Sequence, residues 1–411
     1  MLVRGRLFAP EPRGHVIVTV TGGRINAIDP VADDAPAPEG ALGGPDATIC
    51  PGLIDIQVNG AFGEDFSDPA ADVHRVSAGL PAFGVTAYLA CVITSPLERY
   101  GPCLANVAAA TSGPDGEPGA ASGEGGGPGA EEEPGSTGGA RLLGVHMEGP
   151  FLSPERPGTH ESAWLREPSV ALAGTWLACG AVRLMTLAPE LPGALDLVRW
   201  LTARGVVVSM GHTNATWAEA QEAAEAGATL GTHLFNAMRP LDHHEPGVAG
   251  YLLSSDLAVS VIADGVHLDM PMLKLVARLK RPDRLVVVTD ALSALGAVAG
   301  DFELAGGRIV SDGVVGRRAD GTMSGSLLPL NRALGILVRA GVAAEDAVRA
   351  ATLNPARLLH LDDRLGAVEP GRTADLCVLD PDWRVLHTLV GGRRVYSAPI
   401  EKAGDALEAQ A

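Results

Sequence analysis

Four residues with metal-binding or acid–base chemistry each stand at the end of a different short apolar run. They are Glu148, His212, His233 and Asp290, which end the runs 144–148, 206–212, 229–233 and 285–290. One carboxylate and two imidazoles with an open position form the ligand set of a catalytic divalent metal. A single buried His or Asp at a strand end is more often a satisfied polar group of the core. Four such residues on strand ends favour a metal-dependent hydrolase.

Short apolar runs alternate with helix-patterned segments through most of the chain. The runs are 53–58, 85–92, 142–148, 182–187, 206–210, 229–234, 258–263 and 285–290. Between them lie segments such as 215–226, which is rich in helix formers and closed by Gly227. This α/β pattern predicts a (β/α)8 TIM barrel rather than an open doubly wound sheet. No Gly-rich dinucleotide fingerprint follows the first run, which agrees with a barrel. In such barrels the catalytic groups lie at the carboxyl ends of the strands.

The segments that flank the barrel read as short strands with turns. We predict that residues 1–50 and 358–399 form the two parts of a small β-sandwich domain, that 51–357 form the barrel, and that 400–411 form an acidic tail. Within the barrel, residues 111–140 are rich in Gly, Pro and Glu and lack aliphatic anchors, so we predict a disordered loop rather than a lid.

Composition limits the class of partner and the compartment. The chain has 411 residues, is 46% hydrophobic and carries a formal net charge of -18, which argues against nucleic acid because phosphates are neutralised by clustered Lys and Arg. A small anionic substrate is still compatible with a local pocket. The five cysteines form no CxxC pair, and no run approaches the ~18 apolar residues of a membrane span. We therefore expect a cytoplasmic protein with no membrane partner.

Six motifs occur in order along the barrel segment. They lie at 51–60 (PGLIDIQVNG), 146–151 (HMEGPF), 211–213 (GHT), 232–238 (THLFNAM), 263–267 (ADGVH) and 289–291 (TDA). Together they resemble the N-acetylglucosamine-6-phosphate deacetylase family of the amidohydrolase superfamily, from about residue 50 to 357. The stretches 350–357 and 366–375 are similar to the superfamily in general. The resemblance implies hydrolysis of the acetyl amide of an amino-sugar phosphate.

The resemblance also implies roles for the four strand-end residues. Glu148, His212 and His233 would bind one divalent metal ion, zinc or alternatively iron, and Asp290 would hydrogen-bond the attacking water. Bound zinc lowers the pKa of water to ~7 and polarises a carbonyl oxygen. Asp290 can accept the proton of the water and then deliver it to the departing amine, because the C–N bond breaks only when the nitrogen leaves protonated.

Gln57 and Asn59 occupy a position where many amidohydrolases carry His-x-His for a second metal. Residues i and i+2 of a strand face the same side, so both amides should point into the barrel mouth, where we count them among the substrate-binding residues. Neutral amides are poor metal ligands, and a single-metal site follows. The alternative is a pair of polar residues that cap a strand end.

Further candidate substrate contacts follow from the resemblance. Backbone N–H groups at Asn236 and Ala237 could hold a phosphate, and His267 would reach the sugar phosphate, in this family often across a dimer interface; a homodimer is therefore expected. His160 lies in a loop similar to a sugar-contacting one, although a simple turn explains it almost as well. His146 either supports the metal site or is a polar group of the core.

One position departs from the family pattern. The family usually has an Arg immediately before Glu-Pro-Gly, where it clamps the phosphate, whereas this chain has His244. Histidine is only partly charged near neutral pH and cannot form the bidentate fork of a guanidinium group. We therefore list His244 as a substrate-binding candidate that should bind phosphate more weakly than Arg.

Three other functions compete with this interpretation. An N-acetylgalactosamine-6-phosphate deacetylase, or another N-acetyl amino-sugar deacetylase, would use identical chemistry, and the motifs do not distinguish the sugar epimers. A cyclic-amide hydrolase or deaminase usually needs His-x-His on the first strand. A sugar-phosphate-binding regulator with a dead site would not need all four chemical residues, which are intact here.

Overall fold

The computed structural model describes residues 1–111, 138–297 and 301–399 of the chain. Its strands are, in chain order, β1 (Leu2–Phe8), β2 (Pro12–Thr21), β3 (Arg24–Pro30), β4 (Leu42–Pro51), β5 (Leu53–Val58), β6 (Gly60–Ala61), β7 (Glu64–Asp65), β8 (Val85–Ile93), β9 (Arg141–Glu148), β10 (Val182–Leu187), β11 (Val207–Met210), β12 (Leu230–Gly231), β13 (Ala258–Ile262), β14 (Leu285–Val288), β15 (Asp301–Leu304), β16 (Gly307–Ser311), β17 (Val315–Arg317), β18 (Met323–Ser326), β19 (Leu376–Leu379), β20 (Val385–Val390) and β21 (Arg393–Ser397).

The helices follow most of the barrel strands. They are α1 (Val73–Gly79), α2 (Leu97–Ala110), α3 (Val170–Leu177), α4 (Ala194–Thr202), α5 (Trp217–Ala226), α6 (Gly247–Ser254), α7 (Met270–Leu279), α8 (Leu330–Arg339), α9 (Ala344–Ala350) and α10 (Leu353–Leu358). Short 3-10 turns lie at Leu80–Phe83, Ser162–Trp164 and Pro282–Arg284.

Eight parallel strands form the barrel, in the order β5-β8-β9-β10-β11-β12-β13-β14. The last strand returns to the first: Val58 and Ala291 form a parallel bridge, and the N–H of Asn59 donates to the Ala291 carbonyl at 2.9 Å. Each of the eight predicted apolar runs overlaps one of these strands, so the predicted (β/α)8 barrel is confirmed.

Local sequence signals explain where the barrel helices begin and end. At α5, the hydroxyl of Thr216 accepts from the Glu219 N–H while the Glu219 side chain accepts from the Thr216 N–H. Such a capping box satisfies two donors that a helix start otherwise leaves unpaired. Gly227 closes the helix with φ +119°, a left-handed conformation that glycine adopts without steric cost.

Both ends of the chain build one seven-stranded sheet, in the order β21-β20-β19-β4-β1-β2-β3. The sheet is folded over its own core, which includes Val18, Ile49 and Val378. Its ends approach so closely that a Cβ built on Gly392 would lie 2.7 Å from the Cα of Gly23. The predicted sandwich is therefore present, with both layers drawn from one continuous sheet. We propose the domain borders near residues 51 and 358, as the sequence suggested.

A four-stranded antiparallel sheet, β15 to β18, lies between β14 and α8 and was not predicted. It joins the barrel at the strand ends, because the Ser326 N–H donates to the Asp290 carbonyl at 2.9 Å and Ala291 forms a parallel bridge with Ser326. The two-residue turn Ala305–Gly306 between β15 and β16 was its sequence signal.

Two predicted segments lie outside the described residues: most of the insert at 111–140, of which 112–137 are not described, and the tail at 400–411. All five cysteines are free thiols, as predicted. In the described part of the chain, every helix is too short or too polar to cross a membrane.

Candidate metal centre and active site

Three of the four strand-end residues reach the barrel mouth through left-handed backbone. His212, His233 and Asp290 lie two residues beyond β11, β12 and β14, and their φ angles are +48°, +30° and +52°. Sparsely populated backbone of this kind costs about 1–3 kcal/mol per residue and persists where the surrounding structure fixes it, often at functional sites. The strands therefore end in sharp turns, whereas Glu148 is simply the last residue of β9.

The side chains of Glu148, His212 and His233 converge on one point. Glu148 Oε1 lies 3.1 Å from His212 Nε2 and 3.0 Å from His233 Nε2, and the two Nε2 atoms are 3.1 Å apart. All three residues are buried. Three potential ligand atoms thus share a small volume that solvent barely reaches.

The donor set of this triad fits a divalent metal. A carboxylate and two imidazoles leave a metal with net positive charge and an open position, as catalytic zinc sites do. Nδ1 of both histidines is buried with no hydrogen-bond partner among the described residues, so each ring makes its polar contacts through Nε2, inside the triad. A cation at this point would satisfy atoms that otherwise compete for protons.

Electrostatics favour an ionised carboxylate in the triad. Burial acts to raise the pKa of Glu148, but hydrogen bonds from His212 and His233 outweigh it and hold that pKa well below its ordinary value. Burial acts to lower the pKa of His233, and the hydrogen bond and charge of Glu148 reverse that effect, so the pKa is raised. Glu148 and His233 therefore stabilise each other's charged forms inside the protein.

Asp290 lies beside the triad and is held by two amides. Gln57 Nε2 donates to Asp290 Oδ1 at 3.1 Å and to Glu148 Oε1 at 3.1 Å, and Asn59 Nδ2 donates to Asp290 Oδ1 at 2.8 Å. Burial raises the pKa of Asp290, and the charge of Glu148 raises it further. A carboxyl group with a raised pKa is better suited to accept a proton and to return it.

A cavity of about 210 Å³ opens above these residues at the barrel mouth. It is lined by Glu148, His212, His233 and Asp290 together with several predicted substrate contacts, namely Asn59, His160, Asn236, Ala237 and His267. The structure thus brings the proposed metal and acid–base groups and five of the seven substrate candidates to one cavity within a single chain, whereas Gln57 and His244 are not part of its lining.

His160 and His267 line this cavity in different ways. His160 Nε2 lies 3.8 Å from Glu148 Oε2, and burial, followed by the charge of His212, holds its pKa well below the ordinary value, so its ring is neutral. His267 Nδ1 lies 2.6 Å from Asp264 Oδ2. Burial acts to raise the pKa of Asp264, but the His267 hydrogen bond outweighs it and the pKa is lowered. The ionised Asp264 therefore fixes the His267 ring.

Two other histidines that the sequence analysis singled out, His146 and His244, lie outside the cavity lining. His146 contacts the Ile56 carbonyl through Nδ1 (3.1 Å) and Thr186 Oγ1 through Nε2 (2.7 Å), and burial lowers its pKa to about 4. It is a neutral polar group inside the barrel. His244 is exposed, and its ring packs on His243 with centroids 3.9 Å apart. The described chain alone does not bring His244 to the cavity.

The sequence analysis missed one wall of the cavity. The cavity is lined there by Leu304 of β15 and by residues 322–325, which are Thr322 and the first three residues of β18. Ile93 and Ile262 from barrel strands line it as well. Thr159 Oγ1 donates to Ser324 Oγ at 2.9 Å and so joins this wall to the loop that carries His160. Apolar strand-end residues carry no chemical signal in a sequence, which is why they were not recognised.

A (β/α)8 barrel with a Glu-His-His triad and an adjacent Asp at its strand ends defines the class of metal-dependent hydrolases. Comparison with known proteins agrees, since the amidohydrolase family matches residues 137–395. A bovine (Bos taurus) N-acetylglucosamine-6-phosphate deacetylase is 37% identical over 371 residues, which cover 86% of this chain and 84% of the relative. An N-acetylgalactosamine-6-phosphate deacetylase of Escherichia coli O157:H7 is 32% identical, covering 91% and 93%.

A solved structure shares the architecture. The crystal structure of N-acetyl-D-glucosamine-6-phosphate deacetylase from Mycobacterium smegmatis superimposes with a TM-score of 0.84 at 32% identity, covering 96% of this chain and 100% of that one. The chain therefore belongs to the amidohydrolase family and, within it, to the N-acetylglucosamine-6-phosphate deacetylase family. Members of the amidohydrolase family are metal-dependent, and the Glu148, His212 and His233 triad is the candidate metal site here.

Proposed function

We propose that the chain is a metal-dependent amide hydrolase that converts N-acetyl-D-glucosamine 6-phosphate and water into D-glucosamine 6-phosphate and acetate. The observation that carries the proposal is the convergence of Glu148, His212 and His233 beside Asp290 in one cavity. The names of the relatives supply the substrate class.

The residues of the chain divide the chemistry between them. A divalent metal held by Glu148, His212 and His233 supplies Lewis acidity, which polarises a carbonyl and lowers the pKa of water. Asp290 accepts the proton of the attacking water and then returns it to the amide nitrogen, which leaves as a neutral amine. Gln57 and Asn59 donate to Asp290 Oδ1 and so orient that carboxylate.

We propose one metal ion per chain, zinc in the first instance and iron as the alternative. The amide pair supports this count, because Gln57 and Asn59 turn their N–H₂ donors toward carboxylates. The N–H₂ group of an amide has no lone pair to offer a second cation.

The substrate's phosphate needs donors on the far side of the cavity. The backbone N–H of Ala237, together with the fixed ring of His267, provides candidates within one chain. The backbone N–H of Asn236 already donates to the His233 carbonyl at 3.0 Å. His244 is exposed, so its contact with phosphate requires a second copy of the chain, as in the proposed homodimer. A cytoplasmic location and the absence of nucleic-acid partners stay predictions from composition.

A second candidate is N-acetylgalactosamine-6-phosphate deacetylase. The Escherichia coli O157:H7 relative of that name covers nearly the whole chain. The two sugars differ only in the orientation of one hydroxyl group, and both candidates would use the same metal triad and Asp290.

The test is metal analysis combined with acetate release. The purified full chain should contain about one equivalent of zinc or iron and should release acetate from N-acetylglucosamine 6-phosphate faster than from the galactosamine epimer or from either unphosphorylated sugar. Removal of the metal by a chelator should abolish the reaction, and zinc should restore it. Acetate release that does not depend on metal would refute the mechanism. A faster reaction with the galactosamine epimer would show that N-acetylgalactosamine 6-phosphate is the substrate.

A further inference from the structure

One apolar corner of the cavity lies directly beside the reacting groups. Ile93 and Leu304 both line the cavity and are 2% and 3% exposed. They belong to a compact cluster at the barrel mouth, which we call the mouth cluster and which comprises Cys91, Ile93, Leu292, Leu304, Ala305 and Ile309. This cluster is separate from the main barrel core.

The mouth cluster touches both carboxylate-bearing segments of the site. Ile93 is the register partner of Glu148 in the pairing of β8 with β9, and Cys91 Sγ lies 3.8 Å from Glu148 Oε2. On the other side, Leu292 follows Asp290 by two residues, and its N–H donates to the Ser326 carbonyl. The corner therefore lies next to the two groups between which an acyl carbon must react.

The methyl group of an acetyl amide is best accommodated by an apolar neighbour close to Glu148 and Asp290. The acyl carbon carries the amide nitrogen, which leads to the sugar and the cavity mouth, and it also carries the acyl chain. The space between Glu148 and Asp290 is filled by the Gln57 amide, which donates to both. A methyl group therefore cannot be placed between the carboxylates, and the adjacent apolar wall is formed by Ile93 and Leu304.

We propose that Ile93 and Leu304 form the subsite for the acyl group of the substrate and limit that group to an acetyl. This proposal rests on the proposed function. Both side chains are almost fully buried and packed in the mouth cluster. Close-packed side chains yield little to an added methylene, and such a difference changes kcat/KM by about 10–200-fold in an apolar pocket. The wall thus sets the length of the acyl chain.

Of the other large apolar side chains in the lining, Ile262 and Met323, Ile262 offers a competing position for the acyl chain. Ile262 packs in a different cluster, with Ile54, Ile56 and Val288 inside the barrel. It does not belong to the mouth cluster that adjoins Glu148, so we assign it to the floor of the cavity. Substitution of Ile262 distinguishes the two placements.

The experiment compares kcat/KM for N-acetyl-, N-propionyl- and N-butyrylglucosamine 6-phosphate with the zinc-loaded enzyme, measured by release of the carboxylic acid. Leu304→Ala should raise the propionyl-to-acetyl and butyryl-to-acetyl ratios by about tenfold or more. Leu304→Val and Ile93→Val should raise both ratios by a smaller factor. These milder variants replace Leu304→Ala in the test if the alanine variant does not fold. Val310→Ala, a half-exposed valine on β16 of the same small sheet, should leave them unchanged.

Unchanged ratios in the folded Leu304 and Ile93 variants would overturn the subsite, and so would a shift confined to Ile262→Ala. Both results require that the wild type release acetate, which keeps them distinct from a failure of the proposed function. A zinc-loaded wild type that hydrolyses none of the three amides would refute that function and the subsite with it.

Discussion

Asp55 provides a sharp test of the electrostatics of the barrel seam, where β5 meets β14. The carboxyl group is fully buried; its Oδ2 accepts from the Thr289 hydroxyl at 2.5 Å, and its Oδ1 accepts from the Gln57 N–H at 3.2 Å. Burial raises its pKa from 3.8 to about 7, against the effect of these hydrogen bonds. The protonated form is therefore favoured in the folded state over a wide range of pH.

The sign of the effect follows from proton linkage. Between pH 3.8 and about 7 the folded chain binds a proton at Asp55 that the unfolded chain does not, so the free energy of unfolding falls as pH rises. The whole difference is roughly 4 kcal/mol, of which about 2–3 kcal/mol is lost between pH 5 and 8. Asp55→Asn cannot ionise and should lack this decline.

The assay is urea unfolding of both proteins at pH 5, 6, 7 and 8. The stability of Asp55→Asn relative to wild type should increase by about 2–3 kcal/mol over this range. Asp65→Asn is the matched control: burial raises the pKa of Asp65 only to about 6, so its relative change should be complete by about pH 7. Parallel profiles for wild type and Asp55→Asn would refute the reasoning.

Four further predictions concern the site. His212→Ala should lose both metal and acetate release, and metal retained at one equivalent by elemental analysis would contradict the ligand assignment. Asp290→Asn should keep the metal yet lower kcat by at least ~10²–10⁴-fold; a wild-type kcat would exclude proton transfer by Asp290. Replacing residues 112–137 by a short Gly/Ser linker, which keeps the buried Ala140 in place, should leave kcat/KM within a few-fold, because the length of a connecting segment costs little stability, whereas a large drop would identify a lid. In the proposed homodimer, His244→Arg should lower KM for the phosphorylated sugar alone, and an unchanged KM would remove His244 from the phosphate contacts.

The sequence by itself determined the barrel and pointed to its candidate metal-binding and acid–base residues. Eight apolar runs separated by helix formers can bury both faces of a strand only in a closed or covered parallel sheet, so the period of the pattern specified the architecture. Glu148, His212, His233 and Asp290 were recognisable because charged or metal-binding side chains at strand ends are chemically conspicuous. The amide pair Gln57 and Asn59 was visible because the two-residue repeat of a strand fixes which side chains share a face.

Only the tertiary structure decided which other residues reach the cavity. His146 and His160 are both histidines near Glu148 in the sequence, yet the first is bonded inside the barrel and the second lines the mouth. Leu304 enters the cavity from a small sheet far along the chain, and His244 lies on the surface. The type of a residue indicates which chemistry its side chain can perform. The position of that side chain in the fold depends on long-range packing and on the path of each loop after its strand, which a local sequence pattern does not encode.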